Sequence, residues 1–160
     1  GTDDRLIGIA WVSKNKRIGL QKSMALMELA QLIGIPGVRF IALQYGDTAG
    51  ERAQFEDETG TSIVHDDSID QMADLDAFAA QVAAMDLVIS VSNTTVHFAG
   101  ALGVPAWVML NTVPLPCWLL EGDDSPWYPS ARLFRQSQAG VWAGVIKRIE
   151  DALRAFAAAG

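Results

Sequence analysis

A polar hinge between two apolar segments is the part of this sequence best suited to chemistry. In VISVSNTTVHFAGALGVPAWVML (residues 88–110), four small hydrogen-bonding residues stand in a row: Ser92, Asn93, Thr94 and Thr95. His97 follows Asn93 by four positions, so a helix beginning at the hinge would place both on one face. Because a helix N-terminus carries free N–H groups and a partial positive charge, it favours an anion.

A second segment, about eighty residues earlier, supplies positive charge. The loop SKNKRIGLQKS (residues 13–23) holds four of the chain's twelve basic residues, namely Lys14, Lys16, Arg17 and Lys22, although the formal net charge is −7. If this loop meets the hinge in space, fixed N–H donors and mobile ammonium groups converge. That combination is typical of a phosphate or pyrophosphate site.

The elements that would bring the two segments together follow from the alternation of apolar runs and helical patterns. Strands are predicted at 6–12, 38–44, 62–65, 86–91, 105–110 and 131–135, and helices at 23–34, 50–60, 74–85, 94–103 and 141–159. This order predicts an α/β class domain, Rossmann-like and three-layered, with a parallel sheet of about six strands in the order 3-2-1-4-5-6. The first and fourth strands are then neighbours, and their carboxyl ends border the crevice where ligands bind.

Each of these features also has a purely structural interpretation. Asn93 or Thr94 can serve as an ordinary N-cap, and the basic loop can be a solvated surface turn. His97 can be a packed, hydrogen-bonded residue or a ligand for phosphate or sugar. The convergence of both loops on one crevice favours the anion site.

Composition limits the function classes. A chain of 160 residues forms one domain, and residues 1–5 are expected to be linker residues. The negative charge argues against nucleic acid or an anionic membrane surface as partner. A single cysteine, Cys117, excludes an internal disulfide framework, and no apolar run reaches membrane-spanning length. These features suit a reducing compartment, and we expect a cytoplasmic protein.

Carboxylates and loop aromatics mostly favour structural roles. Asp74-Leu75-Asp76 resembles a metal-binding Asp-x-Asp motif, but its position predicts a helix start with Asp74 as N-cap. No metal is therefore expected. The long loop with Trp118, Trp127 and Tyr128 exceeds the usual connection length, so it is either functional or pinned by its aromatics. We expect pinning, with a contact to another domain as the alternative.

The stretches KNKRIGLQKSMAL, SNTTVHFAGALGVPAWVML and SPWYPSARLFRQ together resemble the C-terminal domain of GT-B glycosyltransferases of the heptosyltransferase class (glycosyltransferase family nine). Bacterial proteins in which tetratricopeptide repeats precede such a domain are especially similar. The resemblance extends from Leu6 to the last helix. In that family the hinge reads Asp-Thr-Gly before the histidine, whereas Ser92, Asn93 and Thr94 stand at those positions here.

The resemblance implies a site for a nucleotide-diphosphate sugar, with no cofactor. The hinge and His97 would hold the diphosphate and sugar, and Lys22, flanked by Ser13 and Lys14, would reach the phosphates. Ribose contacts are implied at Gln44, Tyr45, Gly46 and Asp47, and the base is implied near Met72, Asp74 and Leu75. The catalytic base is expected on an N-terminal GT-B domain, possibly preceded by tetratricopeptide repeats, so this chain would be inactive alone.

Two function classes stay open at this point. The chain is either the donor-binding half of a glycosyltransferase or a noncatalytic nucleotide-binding or interaction module that has kept the fold. The serine at position 92 favours the second class. Fold alone does not decide between them.

Overall fold

One parallel sheet organises the chain. In the computed structural model, which describes residues 4–159, its five strands are β1 (Arg5–Ala10), β2 (Val38–Ala42), β3 (Leu87–Val91), β4 (Ala106–Leu110) and β5 (Ala131–Arg135). They lie in the order β2-β1-β3-β4-β5, and all neighbours pair in parallel. Every residue of β3 is buried, as expected for a strand covered on both faces. The predicted α/β class is confirmed. The first and fourth predicted strands, which are β1 and β3 of the structure, are neighbours as expected.

Helices cover both faces of the sheet and make three layers. They are α1 (Gly19–Lys22), α2 (Ala49–Thr59), α3 (Leu75–Ala83), α4 (Thr94–Ala101) and α5 (Ala143–Ala158). One apolar core packs α5 and the segment after α1 against the sheet, and the other packs α3 and α4 against its opposite face. Among the helices of residues 4–159, none combines the length and apolar character that a membrane span requires.

The helix predicted over residues 23–34 is wrong. Only Leu26–Leu29 form a 3₁₀ turn, and the backbone continues through turns in which N–H groups bond to the carbonyl three residues earlier. Four buried residues recur at every third position, namely Leu26, Leu29, Leu32 and Ile35, and Met24 and Ile33 are buried beside them. That spacing matches the three residues per turn of a 3₁₀ conformation rather than the 3.6 of an α-helix.

The strand predicted at 62–65 is reduced to a single bridge. Val64 donates its N–H to the carbonyl of Phe40 (3.1 Å) and accepts from the N–H of Ala42 (2.8 Å). Pairing stops there, because Asp66 accepts a hydrogen bond from the N–H of Ser68 and turns the chain. The sheet therefore has five strands rather than six, although the segment lies beyond β2 as the predicted order requires.

Of the residues expected to form a linker, 1–5, only Asp4 and Arg5 belong to the described part of the chain. Residues 1–3 lie outside the described part of the chain. Arg5 is not a linker residue, because it begins β1, pairs with Val38 and places its guanidinium 4.3 Å from the centre of the Phe156 ring. The correction extends the domain by one residue at its N-terminal strand.

The long loop between β4 and β5 is pinned, as predicted. Trp118 is fully buried, and Leu119 adopts a left-handed backbone with φ of 58°. The Arg135 guanidinium donates to the carbonyl oxygens of four loop residues: Trp118, Leu119, Glu121 and Gly122. One cation thus satisfies carbonyls at the end of the short 3₁₀ turn Pro116–Trp118 and in the irregular segment that follows it.

The same loop also rests on α4 through a glycine. A Cβ atom placed on Gly100 would lie 2.4 Å from Cγ of the Tyr128 ring, closer than nonbonded carbon atoms approach. The absence of a side chain at Gly100 therefore lets the Tyr128 ring lie directly on the helix backbone. This packing explains the first glycine of the AGALG segment, which is Gly100.

We expect Gly100→Ala to destabilise the fold. The added methyl group must displace the Tyr128 ring, and overpacking of this kind costs about 1–3 kcal/mol, less the gain of under about 1 kcal/mol from replacing a helical glycine. Urea denaturation measures the difference. Gly144→Ala in α5 is the matched control because nothing lies near its Cβ position, so it should be neutral or stabilising. Equal stability of the two variants would contradict this packing.

Candidate functional site

The candidate site is a cavity of about 460 Å³ at the carboxyl ends of β1 and β3. Its walls come from the loop after β1, the end of β2, the segment before α3, the start of α4 and the β4–β5 loop. The lining residues are Ser13, Lys14, Asn15, Lys22, Tyr45, Gly46, Met72, Ser92, Asn93, Thr94, His97 and Leu115. The volume lies in the range of small-molecule pockets. The basic loop and the polar hinge therefore meet, as the switch-point argument predicts.

The contact that joins them is a buried ammonium group. Lys22 is 3% exposed, and its Nζ donates to the carbonyl oxygen of Ser92 at 2.7 Å. Burial lowers the pKa of Lys22, because a cation loses hydration there. One of the three ammonium N–H groups is used by this bond, so the others remain for a ligand in the cavity.

Asn93 is the N-cap of α4, the structural role that the sequence allowed for it. Its Oδ1 accepts from the N–H of Thr95 at 3.0 Å and from the Ser90 hydroxyl at 3.0 Å, and its Nδ2 donates to the carbonyl of Val12 at 3.2 Å. The same side chain therefore starts the helix and ties it to the loop after β1. The first turn of α4 keeps further N–H groups without helical partners, and exposed Thr94 begins it at the cavity wall.

The His97 ring is held by two aromatic residues of the β4–β5 loop. Its Nδ1 lies 2.9 Å from the Tyr128 hydroxyl, and its face stacks on Trp118 with ring centres 5.3 Å apart. The Trp118 indole N–H in turn donates to the Ser92 hydroxyl at 2.8 Å. Burial lowers the pKa of His97, and the charge of Lys22 lowers it further, so the imidazole is neutral at pH 7.

The opposite rim combines a second lysine with a tyrosine. The N–H of Lys14 donates to the Tyr45 hydroxyl at 2.7 Å, and the Lys14 ammonium lies 5.5 Å from the Tyr45 ring centre. Gly46 has φ of 87°, and a Cβ there would lie 2.3 Å from Lys14 Nζ. Ser13 is fixed below this rim by the N–H bond that it donates to Ser23 Oγ at 2.9 Å. This end of the cavity presents one exposed cation and one aromatic face.

Five of the residues proposed as donor contacts from sequence do not line the cavity: Gln44, Asp47, Asp74, Leu75 and Thr95. Gln44 Oε1 accepts from the N–H groups of Trp11 and Val12 and so joins β1 to β2. Asp47 accepts from Ala49 at the start of α2, and Asp74 caps α3 through Ala77. Leu75 is exposed, and Thr95 is buried with its hydroxyl unpartnered among the described residues. Met72, proposed near the base, does line the cavity.

Four residues near the ligand space were not assigned to the site from sequence. Asn15 and Leu115 line it, and Trp118 and Tyr128 hold His97. Asn15 folds the basic loop, since its Oδ1 accepts from the N–H groups of Arg17 and Ile18. The unusual length and aromatic content of the β4–β5 loop were the available signals for the other three residues.

The lining residues set the chemistry that the cavity supports. No carboxylate is among them, and across residues 4–159 no three His, Cys, Asp or Glu side chains gather as a possible metal site. Cys117 lies nearby as a free thiol whose pKa is raised by burial. The described side chains therefore offer positive charge and hydrogen-bond donors to an anion, without a basic carboxylate inside the cavity.

Comparisons with known proteins agree with this geometry at the level of the fold. No family model matches the chain. Over 154 residues it is 39% identical to Protein FlbA of Caulobacter vibrioides, which corresponds to 95% of this chain and 25% of that protein. It therefore spans about a quarter of that curated relative.

Two solved structures superpose on nearly the whole chain. The Escherichia coli ADP-heptose lps heptosyltransferase II has a TM-score of 0.69 and 16% identity, and covers 99% of this chain and 48% of its own. The glycosyl transferase family 9 protein of Veillonella parvula has a TM-score of 0.67 and 14% identity, and covers 100% of this chain and 48% of its own. The chain spans about half of each, and its fold is that of one half of a glycosyltransferase family 9 protein.

Proposed function

We propose that this domain binds the nucleotide-diphosphate sugar of a glycosyltransferase. The observation that carries the proposal is the buried Lys22 ammonium, held at the start of α4 inside a cavity at the β1–β3 crevice. Glycosyl transfer releases a nucleoside diphosphate, whose developing negative charge needs stabilisation. A fixed cation and helix N–H groups supply it without a metal. The heptosyltransferase named above acts on an ADP-linked sugar, which supports this substrate class.

The cavity divides into regions that fit the parts of such a donor. The diphosphate lies between Lys22 and the first turn of α4, where both positive contributions meet. His97 borders the same space and reaches the phosphate or the sugar. The rim formed by Tyr45, Gly46 and Met72 receives the nucleoside, since it offers an aromatic face and an exposed apolar side chain.

A noncatalytic nucleotide-binding module is the second candidate, and one contact favours it. Ser92 stands where the heptosyltransferase class has aspartate, and its hydroxyl is already engaged by the Trp118 indole. The first hinge residue thus supports the fold rather than offering a carboxylate to a sugar. In this case the anion site persists, and transfer activity is lost in the full-length protein as well.

Lys22→Ala should weaken nucleoside-diphosphate binding roughly ten- to a hundredfold, because a charge-assisted hydrogen bond is worth about 1.5–3 kcal/mol. Calorimetry with UDP, ADP and GDP measures the loss. Lys16→Ala is the matched control, since Lys16 is an exposed lysine of the same loop that does not line the cavity. A plain nucleoside has no phosphate, so its affinity should change little. Equal weakening of nucleoside and nucleoside diphosphate would place Lys22 away from the phosphates.

Binding should not require a divalent ion. The one Asp-x-Asp sequence has Asp74 capping α3 and Asp76 in its first turn, and neither residue lines the cavity. Calorimetry of the chain with a nucleoside-diphosphate sugar, with and without excess chelator, checks this. A loss of affinity on chelation that added magnesium restores would overturn the metal-free assignment.

The 160-residue chain alone should not transfer sugar. No carboxylate lines its cavity, and the structures that it resembles are about twice its length. We propose that a preceding GT-B domain supplies the base and the acceptor site, with tetratricopeptide repeats before it. A coupled assay for nucleoside-diphosphate release, with the full-length protein in parallel, tests this. Turnover by the short chain at ordinary enzyme rates, about 1 s⁻¹ or above, would contradict it.

A further inference from the structure

The two nitrogens of His97 have different surroundings. Nδ1 lies 2.9 Å from the Tyr128 hydroxyl, whereas Nε2 has no partner among the described side chains. His97 lines the ligand cavity, and Tyr128 does not. Because Tyr128 occupies Nδ1, Nε2 is the nitrogen left to meet a ligand. Any influence of Tyr128 on a ligand must therefore pass through the imidazole ring.

General acid–base chemistry determines which group donates in this contact. A phenol has a pKa near 10, and a neutral imidazole N–H is a far weaker acid. The unprotonated imidazole nitrogen, with a conjugate-acid pKa near 6.5, is also much more basic than a phenol oxygen. The stronger arrangement has the Tyr128 O–H donating to Nδ1, so the single proton of the neutral ring resides on Nε2.

The fold fixes Tyr128 in this position through several contacts. Its ring lies on Gly100, where no Cβ intervenes, and it meets the Trp118 ring at 6.0 Å between centres. The Ser125 hydroxyl accepts from the backbone N–H of Tyr128 at 3.3 Å. Trp118 simultaneously supports the face of His97. The hydroxyl and the imidazole are thus both held before any ligand arrives.

We propose that Tyr128 is a positioning residue that holds the proton of His97 on Nε2. The imidazole then presents an N–H group to an anionic oxygen in the cavity, beside the Lys22 ammonium. The identity of that anion rests on the proposed function, whereas the proton placement does not. The other tautomer, with its proton on Nδ1, would direct the lone pair of Nε2 at the anion and repel it.

Lys22 is the charged group that faces this arrangement. Burial and, in addition, the positive charge of Lys22 lower the pKa of His97, which favours the neutral ring. The Cys117 thiol lies near Lys22, and burial keeps it protonated. With both neighbours in these states, an oxyanion receives an ammonium N–H and an imidazole N–H from two independent elements, α1 and α4.

The first experiment is nuclear magnetic resonance of the imidazole nitrogens in the free 160-residue chain. The signals of His97 should show a protonated Nε2 and an unprotonated Nδ1. Tyr128→Phe keeps the ring on Gly100 but removes the hydrogen bond that stabilises the neutral imidazole, so the pKa of His97 should rise by roughly half a unit to one unit. His65 is an internal reference, and Trp127→Phe, which alters an exposed neighbour, should leave His97 unchanged.

A protonated Nδ1 in the wild-type chain, or a pKa of His97 that falls in Tyr128→Phe, would show that the hydroxyl accepts instead and would overturn the proposal. This result is independent of ligand binding, so it stands even if no nucleotide binds.

The second experiment measures whether Tyr128 acts through His97. At a pH where the ring is neutral, Tyr128→Phe should weaken nucleoside-diphosphate binding by up to about threefold, because the free ring is then divided between its two tautomers and only one of them donates from Nε2. In a His97→Ala background the same substitution should have no further effect. A full Tyr128→Phe effect in that background would mean that Tyr128 acts by another route. If the wild-type chain binds no nucleotide, the proposed function is rejected. The position of the proton is then tested by the nuclear magnetic resonance spectra alone.

Discussion

The bond from the Lys22 ammonium to the Ser92 carbonyl is the contact on which the rest of the site depends. It joins a loop that leaves β1 to the hinge that leaves β3, across seventy residues of sequence. A cation at this depth loses much of its hydration, and one carbonyl replaces only part of it. The site is therefore electrostatically incomplete without a ligand. The anion that we propose as ligand would restore what burial removes, so the charge that lowers the stability of the free domain would raise its affinity for that ligand.

The β4–β5 loop supports the residues at the N-terminus of α4 with fixed aromatic side chains. Trp118 donates to Ser92 and stacks under His97, so the hinge and the histidine share one rigid support. Arg135 in turn holds the loop carbonyls around Trp118. Beyond the short 3₁₀ turn Pro116–Trp118, the geometry of this proline-rich loop is set by these side-chain contacts rather than by a sheet or a longer helix. The four carbonyl groups that Arg135 satisfies reduce the cost of folding a loop of this length.

The sequence predicted the parts of the structure that depend on regular patterns. The predicted order has five pairs of neighbouring strands, and four of them form the observed sheet, while the fifth is reduced to a single bridge. Asn93 and Asp74 were anticipated as helix caps because capping is local. The α-helix predicted at 23–34 is wrong because the apolar residues of this segment fit periods of both 3 and 3.6 residues. Packing against α5 selected the shorter period. The strand at 62–65 failed because a single polar turn after Val64 ended the ladder. Gln44 illustrates why contacts of the site are harder to predict: its amide oxygen accepts from the backbone N–H groups of Trp11 and Val12, directly after β1, a tertiary contact that no local pattern reveals.

The net charge of the chain and the charge of its site have opposite signs, and this difference affects how an anion would interact with the protein. The formal charge is −7, yet no carboxylate lines the cavity, and Lys14, Lys22 and the α4 N-terminus all contribute positive potential there. Four acidic side chains lie on α2 and most of the others lie in loops, and where they are exposed, water and salt screen them over about 8–10 Å. The cavity field is shielded less, because Lys22 is buried. For the anion that we propose as ligand, the screened surface would repel weakly and the buried cation would attract, which favours binding at the crevice.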